Sequence, residues 1–162
     1  MFDKFGEFDS CEEINRAAKA QLEEGDLEAI RTIAEENGLD PEDAEDYCTG
    51  AIEELTTPCL ATIGKLELEA KDLKLEGALK DWTDSIKQSC MENKEMALAV
   101  RKKGKSLKDC MAMILKKAFG EKTQLDDRIT KAAGLRPPLY ISIPGKAQIK
   151  EIVRGYYLGE KK

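Results

Sequence analysis

The 162-residue sequence contains no histidine. This absence removes the commonest general base and the commonest ligand for transition metals, and it excludes catalytic triads and zinc sites that depend on imidazole. Carboxylate pairs are numerous, but no pattern marks a set that would converge on two metal ions. We therefore predict that the chain is not an enzyme and that it uses no metal and no cofactor.

Long apolar runs and aromatic residues are also scarce. No uncharged stretch approaches the roughly 20 apolar residues that a membrane-spanning helix needs, so we predict no contact with a membrane. The N-terminus lacks an apolar run followed by a cleavage site, so we expect a cytoplasmic protein. Aromatic residues make up only 6% of the chain, which predicts a core of aliphatic side chains.

The five cysteines are odd in number, widely spaced, and never arranged as Cys-x-x-Cys. This distribution is not that of a disulfide framework or a zinc site. We predict that they are thiols packed among apolar side chains.

Charge is divided unevenly along the chain. Residues 1–56 contain 18 acidic and 4 basic residues, a net charge of −14, whereas residues 57–162 contain 14 acidic and 22 basic residues, a net charge of +8. Such a division does not determine a fold, but it governs which surfaces a protein approaches. We predict an acidic three-helix lobe at 1–56 and a basic helical lobe at 57–162, hinged near residues 50–58.

Apolar spacing and capping patterns predict a mainly α protein. Ser-x-x-Glu at residues 10–13 and Ser-x-x-Asp at 106–109 are typical of helix starts, as is Asp-Pro at 40–41. The predicted helices lie near residues 11–24, 27–37, 40–48, 58–73, 76–91, 96–101, 106–119, 125–133 and 145–158. Residues 139–143 alternate between apolar and polar and are bounded by prolines, which predicts at most one short strand or hairpin there.

Two segments leave alternatives open. Residues 66–70 alternate like a strand, although the length of the surrounding apolar pattern favours a helix. The helix that begins near residue 107 has a long apolar stripe, which is able to build either a core or a dimer. Its members are Leu107, Cys110, Met111, Ile114, Leu115, Ala118 and Phe119. Trp82 is interpreted as a core anchor, and we expect one of Tyr156 and Tyr157 to be buried.

Residues 34–47 resemble the turn of a helix-turn-helix, but the second helix would carry four acids and no base, so phosphate would repel it. The same acids lack the central glycine and the final glutamate of a calcium loop. The acids instead predict a face that binds a protein partner with a basic surface. Its members are Glu35, Glu36, Asp40, Glu42, Asp43, Glu45 and Asp46.

The basic lobe offers a second candidate surface, able to bind nucleic acid through charge. Its members are Arg101, Lys102, Lys103, Lys105, Lys108, Lys146, Lys150 and Arg154. The first five surround a helix start, where backbone N–H groups add positive potential. The last three recur at every fourth position and so share one helix face.

Residues 105–118 contain Leu-x-x-Cys-x-x-x-Ile-x-x-x-Ala, and an Ile-Pro-Gly helix start and a closing Tyr-Tyr follow. Across residues 100–158 this pattern resembles the PcfK-like family, small proteins encoded on conjugative elements of gut Firmicutes. That family includes anti-CRISPR proteins that inhibit Cas9. The acidic segment lies outside the pattern, although its Phe-Gly-Glu-Phe opening and Glu-Asn-Gly-Leu-Asp-Pro-Glu-Asp motif resemble other proteins of such mobile elements. No catalytic residue carries over.

The resemblance and the charge division together imply a function. The leading hypothesis is a non-enzymatic, anti-CRISPR-type inhibitor that binds a Cas nuclease such as Cas9, or its guide-RNA complex, and acts as a DNA mimic. Its acidic face would block a channel that normally binds nucleic acid. The alternative hypothesis is a DNA-binding or relaxosome accessory protein of a conjugative element, using the basic surface. A homodimer is compatible with either hypothesis.

Overall fold

The computed structural model describes residues 4–142 and 144–159, and it is mainly α, as predicted. Nine helices lie within these residues: α1 (Cys11–Glu24), α2 (Leu27–Glu36), α3 (Pro41–Thr49), α4 (Pro58–Asp72), α5 (Ala78–Glu92), α6 (Lys94–Arg101), α7 (Leu107–Gly120), α8 (Asp127–Ala132) and α9 (Lys146–Leu158). Residues 1–3, which belong to the predicted acidic lobe, and Ile143 of the predicted strand lie outside the described residues.

Side-chain caps set several helix starts, as the sequence patterns predict. The Ser10 hydroxyl accepts a hydrogen bond from the Glu13 N–H at 3.2 Å, and the Ser106 hydroxyl accepts one from the Asp109 N–H at 3.1 Å. Asp40 caps α3 through the Glu42 N–H. Each cap satisfies a backbone donor that the first helical turn leaves without a partner.

Residues 66–70 are helical and belong to α4. Pro58 occupies the first turn of this helix after the N-cap Thr57. Leu66 is fully buried, whereas Leu68 is only partly covered, because three helix neighbours rather than two sheet faces surround this segment. Five alternating residues are too few to outweigh the longer helical pattern in which they lie.

A two-stranded antiparallel sheet joins β1 (Thr123–Gln124) to β2 (Tyr140–Ile141), with Gln124 opposite Tyr140. One further backbone hydrogen bond, from Leu125 N–H to Leu139 C=O at 2.8 Å, continues the pairing. The strand predicted near 139–143 is therefore confirmed. Its partner was not predicted, because two polar residues after a helix show no strand periodicity.

Buried side chains form two hydrophobic clusters. The first gathers α1, α2 and α3 around Ile14, Ile30 and Ile33, and the second gathers α5, α6, α7 and α9 around Ile86 and Ile114. Helix α4 contributes to both, with its first turns in the first cluster and its middle in the second. The assignment of two separate domains divided at residue 56 stays a prediction.

Helix α7 buries only part of its predicted apolar stripe. Leu107, Cys110 and Ile114 are fully buried, but Leu115 is 43% exposed and Phe119 is 72% exposed. At about 100° per residue, the last two lie beside the buried row rather than within it. The stripe is therefore wider than the neighbouring helices cover: Leu115 and Phe119 lie outside the core, and a dimer through these two residues stays a prediction.

Candidate functional site

Arg101 lies between the two hydrophobic clusters and is only 2% exposed. Its guanidinium donates to the carbonyl of Ala61 at 3.1 Å and to the side-chain oxygen of Asn37 at 2.5 Å. Burial lowers the pKa of the guanidinium from its ordinary value. Arg101 is thus absent from the exposed basic surface that its sequence position suggests, because it holds α2, α4 and α6 together from inside.

Lys65 is a second buried cation, 1% exposed, and it organises the segment between α6 and α7. Its ammonium donates to the carbonyl oxygens of Val100, Lys102 and Lys105 at 2.9, 3.3 and 2.6 Å. Desolvation lowers the pKa of this amine. We call residues 102–106 the basic loop, and within it the carbonyls of Lys102 and Lys105 bind Lys65.

Other contacts fix the basic loop further. The Lys103 N–H donates to the Asp9 carboxylate at 2.8 Å, and the Leu107 N–H donates to the Glu69 carboxylate at 3.2 Å. The Lys105 ammonium donates to the Tyr156 carbonyl at 2.7 Å and lies 4.7 Å from the centre of the Tyr156 ring. The sequence suggested the backbone N–H groups near this helix start as an anion site. In the structure these N–H groups already donate to carboxylates and capping groups of the protein itself.

The remaining predicted basic residues are at the surface. Lys102, Lys103 and Lys108 are exposed around the basic loop, and Lys146 and Lys150 are exposed on α9. Arg154, one helical turn further along α9, is half-buried. Tyr157 is buried and Tyr156 only partly so, which confirms that one of the two tyrosines belongs to the core.

The predicted acidic face is only partly assembled at the surface. Glu35, Asp40, Glu42, Glu45 and Asp46 are exposed, and Asp43 is half-buried. Glu36, in contrast, is 8% exposed and accepts hydrogen bonds from the backbone N–H groups of residues 4 and 5 at 2.6 and 3.1 Å. Glu36 therefore anchors the N-terminal segment and contributes little to the face.

On α3, Glu42, Glu45 and Asp46 share one side of the helix, because residues three and four apart project in similar directions. Arg31 pairs with Glu45 and lowers the pKa of that carboxyl through a side-chain hydrogen bond. The acids from Asp40 to Asp46 span about 9 Å of helix axis. Four of these five acids are exposed and Arg31 pairs with one of them, so the exposed negative charge is sparser than that of duplex DNA, which has one charge per roughly 1.7 Å.

A groove beside the second hydrophobic cluster was not predicted from the sequence. Its volume is about 600 Å³, and its walls include Trp82, Leu115, Phe119, Lys122 and Tyr140. We call it the aromatic groove. The Lys122 ammonium lies 4.9 Å from the centre of the Phe119 ring. The sequence signal for this groove is the α7 apolar stripe, which is wider than one buried row of side chains. From the sequence alone, the stripe predicts either a core or a dimer.

Reactive groups and metal sites are not evident in the described part of the chain. All five cysteines are free thiols, and burial raises the pKa of Cys90 and of Cys110 to about 12, which leaves both protonated and unreactive near neutral pH. Among residues 4–142 and 144–159, no three Cys, Asp or Glu side chains are grouped to hold a metal ion. Nor does any helix in these ranges have the length and apolarity to cross a membrane.

The fold and these surfaces define a mainly helical protein with two oppositely charged exteriors joined by buried cations. Comparison with family models, curated proteins and solved structures finds no match for the chain. The resemblance to the PcfK-like family therefore stays a prediction.

Proposed function

We propose that this protein is a non-enzymatic inhibitor that binds a nucleic-acid-processing enzyme through its acidic face. The observation that carries the proposal is the row of exposed carboxylates on α3 and its N-cap, formed by Asp40, Glu42, Glu45 and Asp46. Lys and Arg are absent from α3 itself. Such a surface is complementary to a basic channel and would compete there with DNA or RNA.

The family resemblance suggests which enzyme to test first. Proteins of the PcfK-like family include inhibitors of Cas9, so we propose a Cas nuclease, with or without its guide RNA, as the partner. A chain from a mobile genetic element would benefit from such an activity. Occlusion of a channel requires no general base and no metal, which is compatible with a chain that lacks histidine.

The test compares two triple variants that change net charge equally. E35Q/E42Q/D46N removes three exposed carboxylates from the acidic face, and D72N/E76Q/E95Q removes three exposed carboxylates beyond residue 57. We expect the affinity of the first variant for Cas9 to fall at least tenfold, and we expect this variant to inhibit DNA cleavage less. The control should bind like the unmodified protein. Binding is measured by interferometry and cleavage with a labelled target duplex.

Equal weakening by both triple variants would show that net charge alone matters, and it would contradict a defined acidic face. Absence of Cas9 binding by the unmodified protein would reject this partner. Binding and inhibition that survive the acidic-face substitutions would reject the mechanism while leaving the partner in place.

A second function is favoured by one observation on the other cluster. The backbone of the basic loop bonds Lys65 and Asp9, and the loop carries exposed Lys102 and Lys103. A DNA-binding accessory protein of a conjugative element would use these lysines on phosphates. K102Q/K103Q should then weaken DNA binding. Binding should also release about two fewer counterions, so the affinity should depend less steeply on salt. Unchanged binding would reject this role for the loop.

A further inference from the structure

The aromatic groove combines features that the functions above do not use. Phe119 and Tyr140, two of its wall residues, are 72% and 54% exposed, although large aromatic side chains usually supply core area. Tyr140 is on β2, opposite Gln124, and its hydroxyl hydrogen-bonds the Gln124 side chain at 3.3 Å. The sheet therefore holds this ring at the surface, and α7 holds the other.

Positive charge borders the aromatic groove. Among the described wall residues, Lys122 is the one that carries a formal charge at neutral pH. Past Trp82 and Pro144 the surface continues into a second groove that contains Lys146 and Lys150. That continuation also contains the acids Asp81 and Glu92, so its charge is mixed. The charged wall residues therefore favour an anion in the aromatic groove and offset one another in its continuation.

We propose that the aromatic groove binds single-stranded nucleic acid, with bases stacking on Phe119 and Tyr140 and a phosphate beside Lys122. Exposed aromatic rings next to cations are how proteins bind single strands without reading sequence, since every base has a face that stacks. Duplex DNA would bind less well, because its bases are already stacked and paired. The groove thus supplies a stacking surface that the basic loop lacks.

A second copy of this chain is a less suitable occupant of the aromatic groove. In a symmetric dimer the same patch is used on both subunits, so the Lys122 side chains of the two copies would be enclosed in one interface of low dielectric constant. Their like charges would repel each other there. An anionic polymer avoids this repulsion and also uses the cation. The inference is independent of the acidic-face proposal, because the two surfaces share no residue.

Trp82 makes the site directly observable. It is the single tryptophan of the chain and a wall residue of both grooves, so its fluorescence reports on occupancy there. The probe is oligodeoxythymidine of about 20 nucleotides, which exceeds common site sizes for single strands. We expect it to quench Trp82 emission in a saturable titration, and we expect a duplex of equal length to quench it much less.

Variants separate stacking from charge. F119A/Y140A removes two exposed rings, and the matched control L60A/M91A removes two comparably exposed apolar side chains elsewhere. We expect F119A/Y140A to weaken binding roughly tenfold or more with little change in salt dependence. K122Q should instead reduce the slope of log affinity against log salt by about 0.7. Circular dichroism melts confirm that each variant is folded.

Several results would overturn the proposal. Absence of quenching with oligodeoxythymidine would do so, as would equal affinity for the duplex. Binding that survives F119A/Y140A but fails in K102Q/K103Q would assign the strand to the basic loop. Sedimentation that shows a dimer, dispersed by F119A/Y140A and not by L60A/M91A, would assign the groove to self-association. Quenching by an acidic peptide at equal affinity would assign it to a protein partner.

Discussion

The two hydrophobic clusters support surfaces of different kinds. Ten large apolar side chains are exposed within the described residues, and only Leu27 among them precedes residue 57. Among the described residues, the N-terminal region therefore covers all its other large apolar side chains at least in part, and it exposes carboxylates. The C-terminal region exposes rings and aliphatic side chains beside lysines.

The two proposals above assign a different mode of recognition to each region. A surface of carboxylates acts over distance, favours basic partners, and weakens as salt rises. A surface of rings and lysines gains from contact as well as from charge. Under the two proposals above, the acidic face acts through charge and the aromatic groove through stacking, while Arg101 hydrogen-bonds residues 37 and 61 between the clusters.

The strongest test of this comparison concerns the contact between the two hydrophobic clusters. It uses two arginines in opposite environments. Arg101 is buried between the clusters, whereas Arg31 pairs with Glu45 on the acidic surface. Arg101→Met should lower the free energy of unfolding by about 4 kcal/mol, because it leaves the Ala61 carbonyl and the Asn37 side-chain oxygen without their donor. The melting temperature should fall by roughly 10 °C.

Arg31→Met is the matched control and should change the melting temperature little, since exposed ion pairs contribute weakly. Equal effects of the two substitutions in thermal melts would show that the buried arginine does not hold the clusters together.

A glycine contact between α2 and α4 should have the next largest effect. A Cβ atom on Gly64 would lie 2.3 Å from the Asn37 carbonyl oxygen and 2.8 Å from the Gly38 carbonyl oxygen. These are backbone atoms, so Gly64→Ala has to move one helix away from the other. We expect a loss of about 3 kcal/mol in chemical denaturation.

Gly120→Ala serves as the control, because Gly120 is also helical and nothing lies within 4 Å of its added Cβ. This variant should be as stable as the unmodified protein or slightly more so. Near-native stability of Gly64→Ala would contradict the close approach of α2 and α4.

The smallest effect concerns a carboxylate beside the buried cations. Burial raises the pKa of Glu69 above its ordinary value of 4.5. A side-chain oxygen of Glu69 accepts a hydrogen bond from the Leu107 N–H. The folded state therefore holds the Glu69 proton more tightly than the unfolded state does. This contribution to stability is complete below pH 4.5 and is lost as the pH rises through the pKa of the folded state.

Glu69→Gln cannot ionise and still accepts a hydrogen bond. Its melting temperature should match that of the unmodified protein near pH 4 and exceed it increasingly toward pH 7. Glu76→Gln removes an exposed carboxylate and serves as the matched substitution in the same melts. A difference that stays constant across melts from pH 4 to pH 8 would mean that Glu69 titrates alike in both states.

Local signals in the sequence were sufficient for much of the fold. Ser10, Asp40 and Ser106 cap helices because a short polar side chain reaches the first free N–H groups whatever the rest of the chain does. Periodicity likewise predicted the bounds of α5 and α9 to within two residues at each end. Such signals depend on residues within one or two helical turns, so they survive without knowledge of distant neighbours.

The candidate surfaces were less predictable, because exposure depends on what packs nearby. Arg101 and Lys102 are adjacent in sequence, yet the first is enclosed and the second is exposed. Glu35 and Glu36 differ in the same way. Phe119 carries the periodicity of a core residue, but no neighbouring helix covers it.

The sequence by itself determined the helical architecture, the division of charge, and the exclusion of chemistry based on imidazole, because these follow from composition and short-range spacing. Only the tertiary structure decided which charges face solvent. It drew Arg101 and Lys65 inward, where carbonyls from distant segments converge on them, and it left Phe119 and Tyr140 outside. The physical reason is that burial is a property of contacts between segments, which no single stretch of sequence contains.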